Sequence, residues 1–321
     1  MNATPAWILV VIQSVSLYVA TGLVKDAFSE IEPMYAAWYR VGFLALALLA
    51  WRRPWRKAVR EQFPRLRESA EGPEGTSGRA WNKKGIHAWM TIVILGLAIT
   101  AMSTVFYIAV DNMDMGVAVS IEFLGPLTVA VVTGRDWHER VGISLAALGV
   151  ILLAGISFAG PSSGNFLVGF IAILCSASMW GTYIVAGRKI SFSGRSIDSL
   201  AVAMGIGFVV QSLVLGVPAV RAVIWPRAGA SWSLGPVGAL KLVALLLCVS
   251  MLGSFLPYVM DQLIMPRLSS GAFSVMQSIN PAVAVVVGLA FGEIPTIWEL
   301  VGIAMVIVAV IVTFSGDRNP A

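Results

Sequence analysis

The chain has 321 residues, of which 58% are hydrophobic and only 12% charged, and its mean hydropathy is +0.84. A soluble domain carries about a quarter of its residues as charges, so lipid must be the solvent for most of this chain. The formal net charge of +5 would suit nucleic acid in a soluble protein. Here the basic residues sit in loops and no RNA- or DNA-binding module is legible, so nucleic acid is not expected as a partner.

Taken in order, ten segments reach the length of about twenty apolar residues that a helix needs to cross a bilayer. They are 6–24, 33–51, 88–109, 115–133, 141–158, 166–186, 199–218, 238–259, 270–291 and 297–315. The first reads as a membrane helix and not a cleaved signal, because Trp7 to Val24 is longer than a signal core and has no basic stretch before it. The segment 52–87, rich in Arg, Glu, Gly and Pro from Pro64 to Gly78, reads as a flexible, solvated loop, an insertion and not a binding module. The other connections are short, which favours one compact helix bundle. Cys175 and Cys248, the only cysteines, lie inside apolar runs and have neither metal-ligand nor disulfide-framework spacing. His87 and His138 fall at or beside charged loop segments. No cofactor or metal is expected.

Lys and Arg near helix ends set the orientation. With a cytoplasmic N-terminus, the inner side collects every Lys and Arg except the intramembrane Arg40 and four outer residues, Lys25, Arg221, Arg227 and Lys241. Both termini and the 52–87 loop are therefore expected in the cytoplasm, with the chain multi-pass in the cell (inner) membrane.

The two halves resemble each other. Gly116-Val-Ala-Val-Ser-Ile-Glu-Phe-Leu-Gly-Pro126 aligns with Gly271-Ala-Phe-Ser-Val-Met-Gln-Ser-Ile-Asn-Pro281, and Val141-Gly-Ile recurs as Val301-Gly-Ile. Five spans per half is an odd number, so the second copy enters the membrane from the opposite side. The expected fold is an all-α membrane protein of ten transmembrane helices, built as two inverted five-helix repeats, 1–160 and 161–321, around a central cavity. Inverted repeats with matched helix breaks mark secondary transporters.

Pro126 and Pro281 interrupt spans four and nine at corresponding positions. Proline removes a backbone donor and clashes with the preceding turn, and matched interruptions point to a site near the bilayer midplane; the alternative is a pair of packing kinks. Arg40 and Glu122 read as the only charged residues well inside the spans. Each lies about seven positions from the outer end, roughly 10 Å deep at the helical rise. Intramembrane ionisable residues are functional by default, and a poorly solvated carboxyl there can carry a proton; a static Arg40–Glu122 pair is the other reading. Gln277 stands where the second half would repeat Glu122. Tyr18, Trp38, Tyr39, Tyr107, Trp180, Tyr183 and Tyr258 are candidates to line a cavity, whereas Trp51, Trp55, Trp137 and Trp298 suit the membrane interface.

These residues carry a resemblance. Val105-Phe-Tyr-Ile-Ala, the segment Gly116 to Ala130, Ser178-Met-Trp-Gly-Thr-Tyr-Ile-Val-Ala-Gly-Arg188, Leu256-Pro-Tyr258, and Met276 to Pro281 ahead of Gly292-Glu293 resemble the threonine and homoserine exporters. Those exporters belong to the EamA group of the drug/metabolite transporter superfamily. The resemblance implies ten helices, a cavity between the halves and amino-acid efflux driven by proton exchange. It carries Arg40, Glu122, Pro126, Trp180, Tyr183, Pro257, Tyr258, Pro281 and Glu293 onto matching positions. The sequence departs from the pattern in its long 52–87 loop and in Gln277 with Asn280, where the family pattern has an acidic residue ahead of the proline.

The expectation is thus a secondary active transporter that exports small amino acids such as threonine or homoserine by alternating access. Its partners would be a small polar substrate, protons and the lipid bilayer. Arg40 would hold the substrate carboxylate or pair with Glu122, the proton carrier, and Gln277 and Asn280 would join the pathway. The alternative is efflux of another metabolite or a drug-like compound, since a fold does not fix its substrate. An intramembrane enzyme is not expected, because there is no His-Glu-x-x-His helix, no Gly-x-Ser-x-Gly elbow and no histidine at depth. Short outer loops also argue against a receptor or scaffold.

Overall fold

The computed structural model describes residues 5–53, 78–133, 137–157, 165–191, 196–225, 236–268, 270–277, 279–292 and scattered positions from 297 to 312. Its regular elements there are all helical: α1 (Ala6–Lys25), α2 (Pro33–Arg52), α3 (Gly78–Asn112), α4 (Met115–Glu122), α5 (Leu124–Thr133), α6 (Trp137–Ser157), α7 (Phe166–Ser191), α8 (Ser196–Ile224), α9 (Pro236–Ser250), α10 (Leu256–Ile264), α11 (Ser270–Met276) and α12 (Ile279–Ala290). A π-helical segment, Met251–Phe255, joins α9 to α10. Lipid favours this menu, because helices satisfy backbone N–H and C=O groups within one segment.

Eight stretches among the described residues are long and apolar enough to cross a membrane. Two of them, Met115–Val132 and Ala272–Ala290, are interrupted spans, made of α4 with α5 and of α11 with α12. The expected span 141–158 falls in α6, where only Arg140–Gly149 counts as an apolar helix, and a short one. Most of the expected span 297–315 lies outside the described residues, as does Glu293.

Several helices run past the expected ends. The span expected at 88–109 belongs to a helix that begins at Gly78, so 78–87 of the supposed loop is helical, while 54–77 lies outside the described residues. The helix of span six continues to Ser191, and span eight runs on to Arg267 instead of stopping at 259. A ruler that counts apolar residues stops where polar ones begin. The backbone can carry its hydrogen-bond ladder on into the interface, and Arg188 and Lys189 in the last turn of α7 suit the negative end of the helix dipole.

Large apolar side chains are exposed more widely than on a soluble protein, and several polar ones are buried. Leu213 and Val132 are 83% and 78% exposed, whereas Gln13, Ser14, Arg40, Glu122 and Asp261 are buried. A set of polar groups gathers inside the bundle within an apolar core, and apolar side chains also cover the outer surface. Helix α1 packs on α10 and α12; α2 packs on α3, α8 and α9; α3 packs on α7 and α8; α7 packs on α4 and α5. The two interrupted spans cross antiparallel, α4 against α12 and α5 against α11. Close approach is possible where side chains are absent. A Cβ on Gly125 would collide with the Ala177 carbonyl of α7, so glycine lets the second half of the broken span lie directly on that helix.

Candidate functional site

Three prolines shape the interior. Pro126 and Pro281 each sit third in their half-helix, and the helical course fails one turn earlier, at Phe123 and at Gln277. Proline offers no N–H to the carbonyl four residues before it and its ring crowds that carbonyl. The residues at that offset are Glu122 for Pro126, Gln277 for Pro281 and, beside the π-segment, Gly253 for Pro257. All three line one buried cavity. The break at Gln277 is closed by a tighter turn, in which Asn280 N–H donates to the Gln277 carbonyl at 3.0 Å.

The cavity has a volume of about 60 Å³, far below the roughly 300–1,000 Å³ of an open ligand pocket. The structure therefore depicts a contracted interior. Its wall draws on α1 (Gln13, Ser14, Tyr18), α2 (Arg40), α3 (Ser103), α4 (Glu122), α7 (Trp180, Tyr183), the π-segment with α10 (Gly253, Pro257, Tyr258, Asp261), and the second break (Gln277, Asn280).

Arg40 is 5% exposed. Its Nε donates to Ser254 Oγ at 2.5 Å and a terminal nitrogen donates to the Gly253 carbonyl at 2.6 Å. The guanidinium also lies over the Tyr107 ring, 5.0 Å from its centroid, and Ser250 Oγ donates to the Arg40 carbonyl at 2.7 Å. Two of the five guanidinium N–H donors go to Ser254 and Gly253. Glu122 does not pair with Arg40. It accepts from the Ser176 hydroxyl of α7, and the static Arg40–Glu122 ion pair considered from sequence is absent among the described residues. Each charge has found local partners at its own wall.

The reading that Arg40 and Glu122 are the only intramembrane charges is corrected by Asp261. This residue is 5% exposed and lies in the same cavity wall. Gln13 Nε2 donates to its Oδ1 at 2.7 Å and Tyr183 O–H to its Oδ2 at 2.9 Å, with Gln277 Nε2 at 3.5 Å. Asp261 was lost because the span ruler ended at 259, two residues before it. The neutral residues Gln13, Ser14, Ser103, Ser176 and Ser254 escaped for a different reason: no charge marked them, and isolated Ser or Gln in an apolar run carries little signal.

Of the other candidates, Tyr18, Trp180, Tyr183, Tyr258, Gln277 and Asn280 line the cavity. Tyr107 stands behind Arg40. Pro126 and Pro281 are buried behind the break residues they create. Trp38 and Tyr39 lie elsewhere: Trp38 Nε1 donates to Ser212 Oγ at 2.9 Å and Tyr39 O–H to the Ala219 carbonyl at 3.3 Å, both on α8. They tie α2 to α8 and are not cavity residues. Among the described residues no group of three His, Cys, Asp or Glu could hold a metal ion.

The chain is thus a multi-pass helical membrane protein with a cavity lined by polar and aromatic side chains in its interior. Residues 167–315 match the EamA-like transporter family. Across most of its length it is similar to the threonine/homoserine exporter RhtA of Escherichia coli (strain K12), with 26% identity over 316 residues covering 96% of this chain and 92% of that protein. It is likewise similar to RhtA of Salmonella typhimurium (strain LT2), 25% identical over 312 residues, with 95% and 90% covered. A crystal structure with 15% identity and a TM-score of 0.62, covering 98% of this chain and 97% of its own, shares the fold.

Proposed function

We propose that this protein is a secondary active transporter that exports small amino acids such as threonine or homoserine by alternating access, coupled to protons. The observation that carries the proposal is a buried cavity at the crossing of two interrupted helices, holding a guanidinium and two separate carboxyl groups. The names of the relatives at 25% and 26% identity supply the substrate class. Arg40 supplies a planar donor array suited to a carboxylate. Glu122, on the first broken helix, is the proposed proton carrier, because its local partner is a neutral serine and its charge is not locked in an ion pair.

The proposed frame is ten helices in two inverted halves, 1–160 and 161–321. The packing supports it. Exchanging the halves turns the contact of α1 with α12 into that of α7 with α5, α1 with α10 into α7 with α3, and α2 with α9 into α8 with α3, while α2 with α8 and the crossing of the two broken spans map onto themselves. In this frame both termini face the cytoplasm of a cell whose inner membrane houses the protein.

Counterflow in proteoliposomes tests the proposal. Vesicles loaded with unlabelled threonine should accumulate labelled threonine transiently, and an outward threonine gradient should drive proton entry. Absence of threonine or homoserine exchange, alongside exchange of an unrelated metabolite from a control panel, would remove the amino-acid assignment.

A further inference from the structure

Asp261 has a setting unlike that of the other two charges. Its two oxygens accept only from neutral groups, Gln13, Gln277 and Tyr183, and no ion pair reaches it among the described residues. Around it the acceptors are in surplus. Gln13 is 3% exposed, lines the cavity and spends its amide N–H on Asp261, which leaves its Oε1 buried with no donor. Gln277 Oε1 accepts only at 3.4 Å from Gln13 and 3.5 Å from Asn280, well beyond the usual amide distance of about 2.9–3.0 Å. The aromatic rings of Tyr183 and Tyr258 meet edge to face, with centroids 5.6 Å apart, in the same wall. A carboxylate, an unpartnered amide oxygen, a loosely used amide oxygen and two ring systems together fit a cationic N–H donor.

We propose that Asp261, with Gln13 and Gln277, is the ammonium subsite of this transporter, and that the cavity orients a zwitterion between Asp261 and Arg40. Choice of the ligand rests on the amino-acid reading above. The ammonium donates to Asp261, to Gln13 Oε1 and to Gln277 Oε1, replacing long contacts with short, charge-assisted ones. The carboxylate takes the guanidinium N–H groups that Ser254 and Gly253 leave available. Selectivity follows from the two ends: a carboxylic acid without an amine leaves Asp261 and Gln13 as they are in the contracted cavity, and an amine without a carboxylate leaves Arg40 unused. Because α1, α10 and the second break all contribute to the ammonium end, a ligand there also bridges three elements that must separate for the cavity to open.

The test uses the purified full chain and three probes: L-threonine, 3-hydroxybutyrate, which lacks the ammonium, and threoninol, which lacks the carboxylate. Modification of Asp261 by dicyclohexylcarbodiimide is followed by mass spectrometry of its peptide. Threonine and threoninol should slow labelling and 3-hydroxybutyrate should not. Binding to Asp261→Asn should fall about tenfold or more for threonine, as expected for loss of a hydrogen bond to a charged group, and remain unchanged for 3-hydroxybutyrate. Equal labelling with all three probes, or an Asp261→Asn protein that keeps the full preference for threonine over 3-hydroxybutyrate, overturns the subsite. If that variant fails to fold, the labelling of the unaltered protein decides alone. Protection of Asp261 without threonine counterflow in vesicles would defeat the exporter reading and keep the subsite; counterflow without protection would do the reverse.

Discussion

Arg40 donates to the Gly253 carbonyl at 2.6 Å, and Gly253 is the residue to which Pro257, four positions on, can offer no backbone N–H. The proline and the π-segment before it thus turn a helix carbonyl toward an arginine on another helix. π-Helical turns of this kind often mark functional positions. Without such partners an arginine at the centre of a membrane helix costs about 2.5–3.5 kcal/mol on insertion scales. Arg40→Lys keeps the charge but cannot reach Ser254 and Gly253 with a rigid fork while facing the cavity. It should lose most threonine exchange in counterflow. Ser254→Ala, which strips one acceptor from a buried charge, should destabilise the protein by about 1–3 kcal/mol, read as a lower melting temperature in detergent.

Pro126 and Pro281 should matter for transport more than for assembly. Either substituted by alanine regains an N–H aimed at Glu122 or Gln277, so the span can straighten and withdraw those residues from the cavity wall. Expression and monodispersity should change little while efflux falls severalfold. Normal transport by both variants would mean that the breaks only serve packing.

The broken spans were legible because proline acts at a fixed offset: seeing Pro126 and Pro281 in the sequence locates the failure of the helix one turn before them. Arg40 and Glu122 were legible as charges in apolar runs. Their partners were not, since pairing depends on which faces meet, and the sequence expectation of a possible mutual pair gave way to Ser176 for Glu122 and Ser254 with Gly253 for Arg40. Trp38 and Tyr39 carried the same depth signal as Tyr18 and Tyr183, yet they bond to α8 and away from the cavity. Depth can be counted along a chain; the rotational face of a helix with apolar residues all round cannot. Asp261 failed on length alone, two residues past a boundary.

The orientation has a direct check. In the proposed topology the 52–87 segment is cytoplasmic, so a Ser77→Cys protein should resist a membrane-impermeant thiol reagent in intact cells and react after permeabilisation. Cys175 and Cys248 are exposed at the protein's surface, so both should first be replaced by serine or alanine to leave one reporter. Ready labelling of intact cells would invert the topology.

The separation of Arg40 from Glu122 changes what neutralising Glu122 should do. Were the two locked in a buried ion pair, Glu122→Gln would strand a charge and destabilise the fold by about 3–5 kcal/mol, and neutralising both residues would restore much of it. Here Glu122 is held by Ser176, which can donate equally to the amide oxygen of glutamine. Glu122→Gln should therefore fold well, and adding Arg40→Met should bring no rescue, so the two changes combine without favourable coupling in a double-mutant cycle. Function should divide differently. Glutamine cannot exchange a proton, so uphill efflux and its dependence on pH should disappear, while exchange of labelled for unlabelled threonine, which needs no net proton movement, should persist. A Glu122→Gln protein that still drives pH-dependent efflux against a gradient would clear Glu122 of the coupling role. The same assay should then be run on Asp261→Asn, because Asp261 is the other carboxyl in the cavity wall among the described residues.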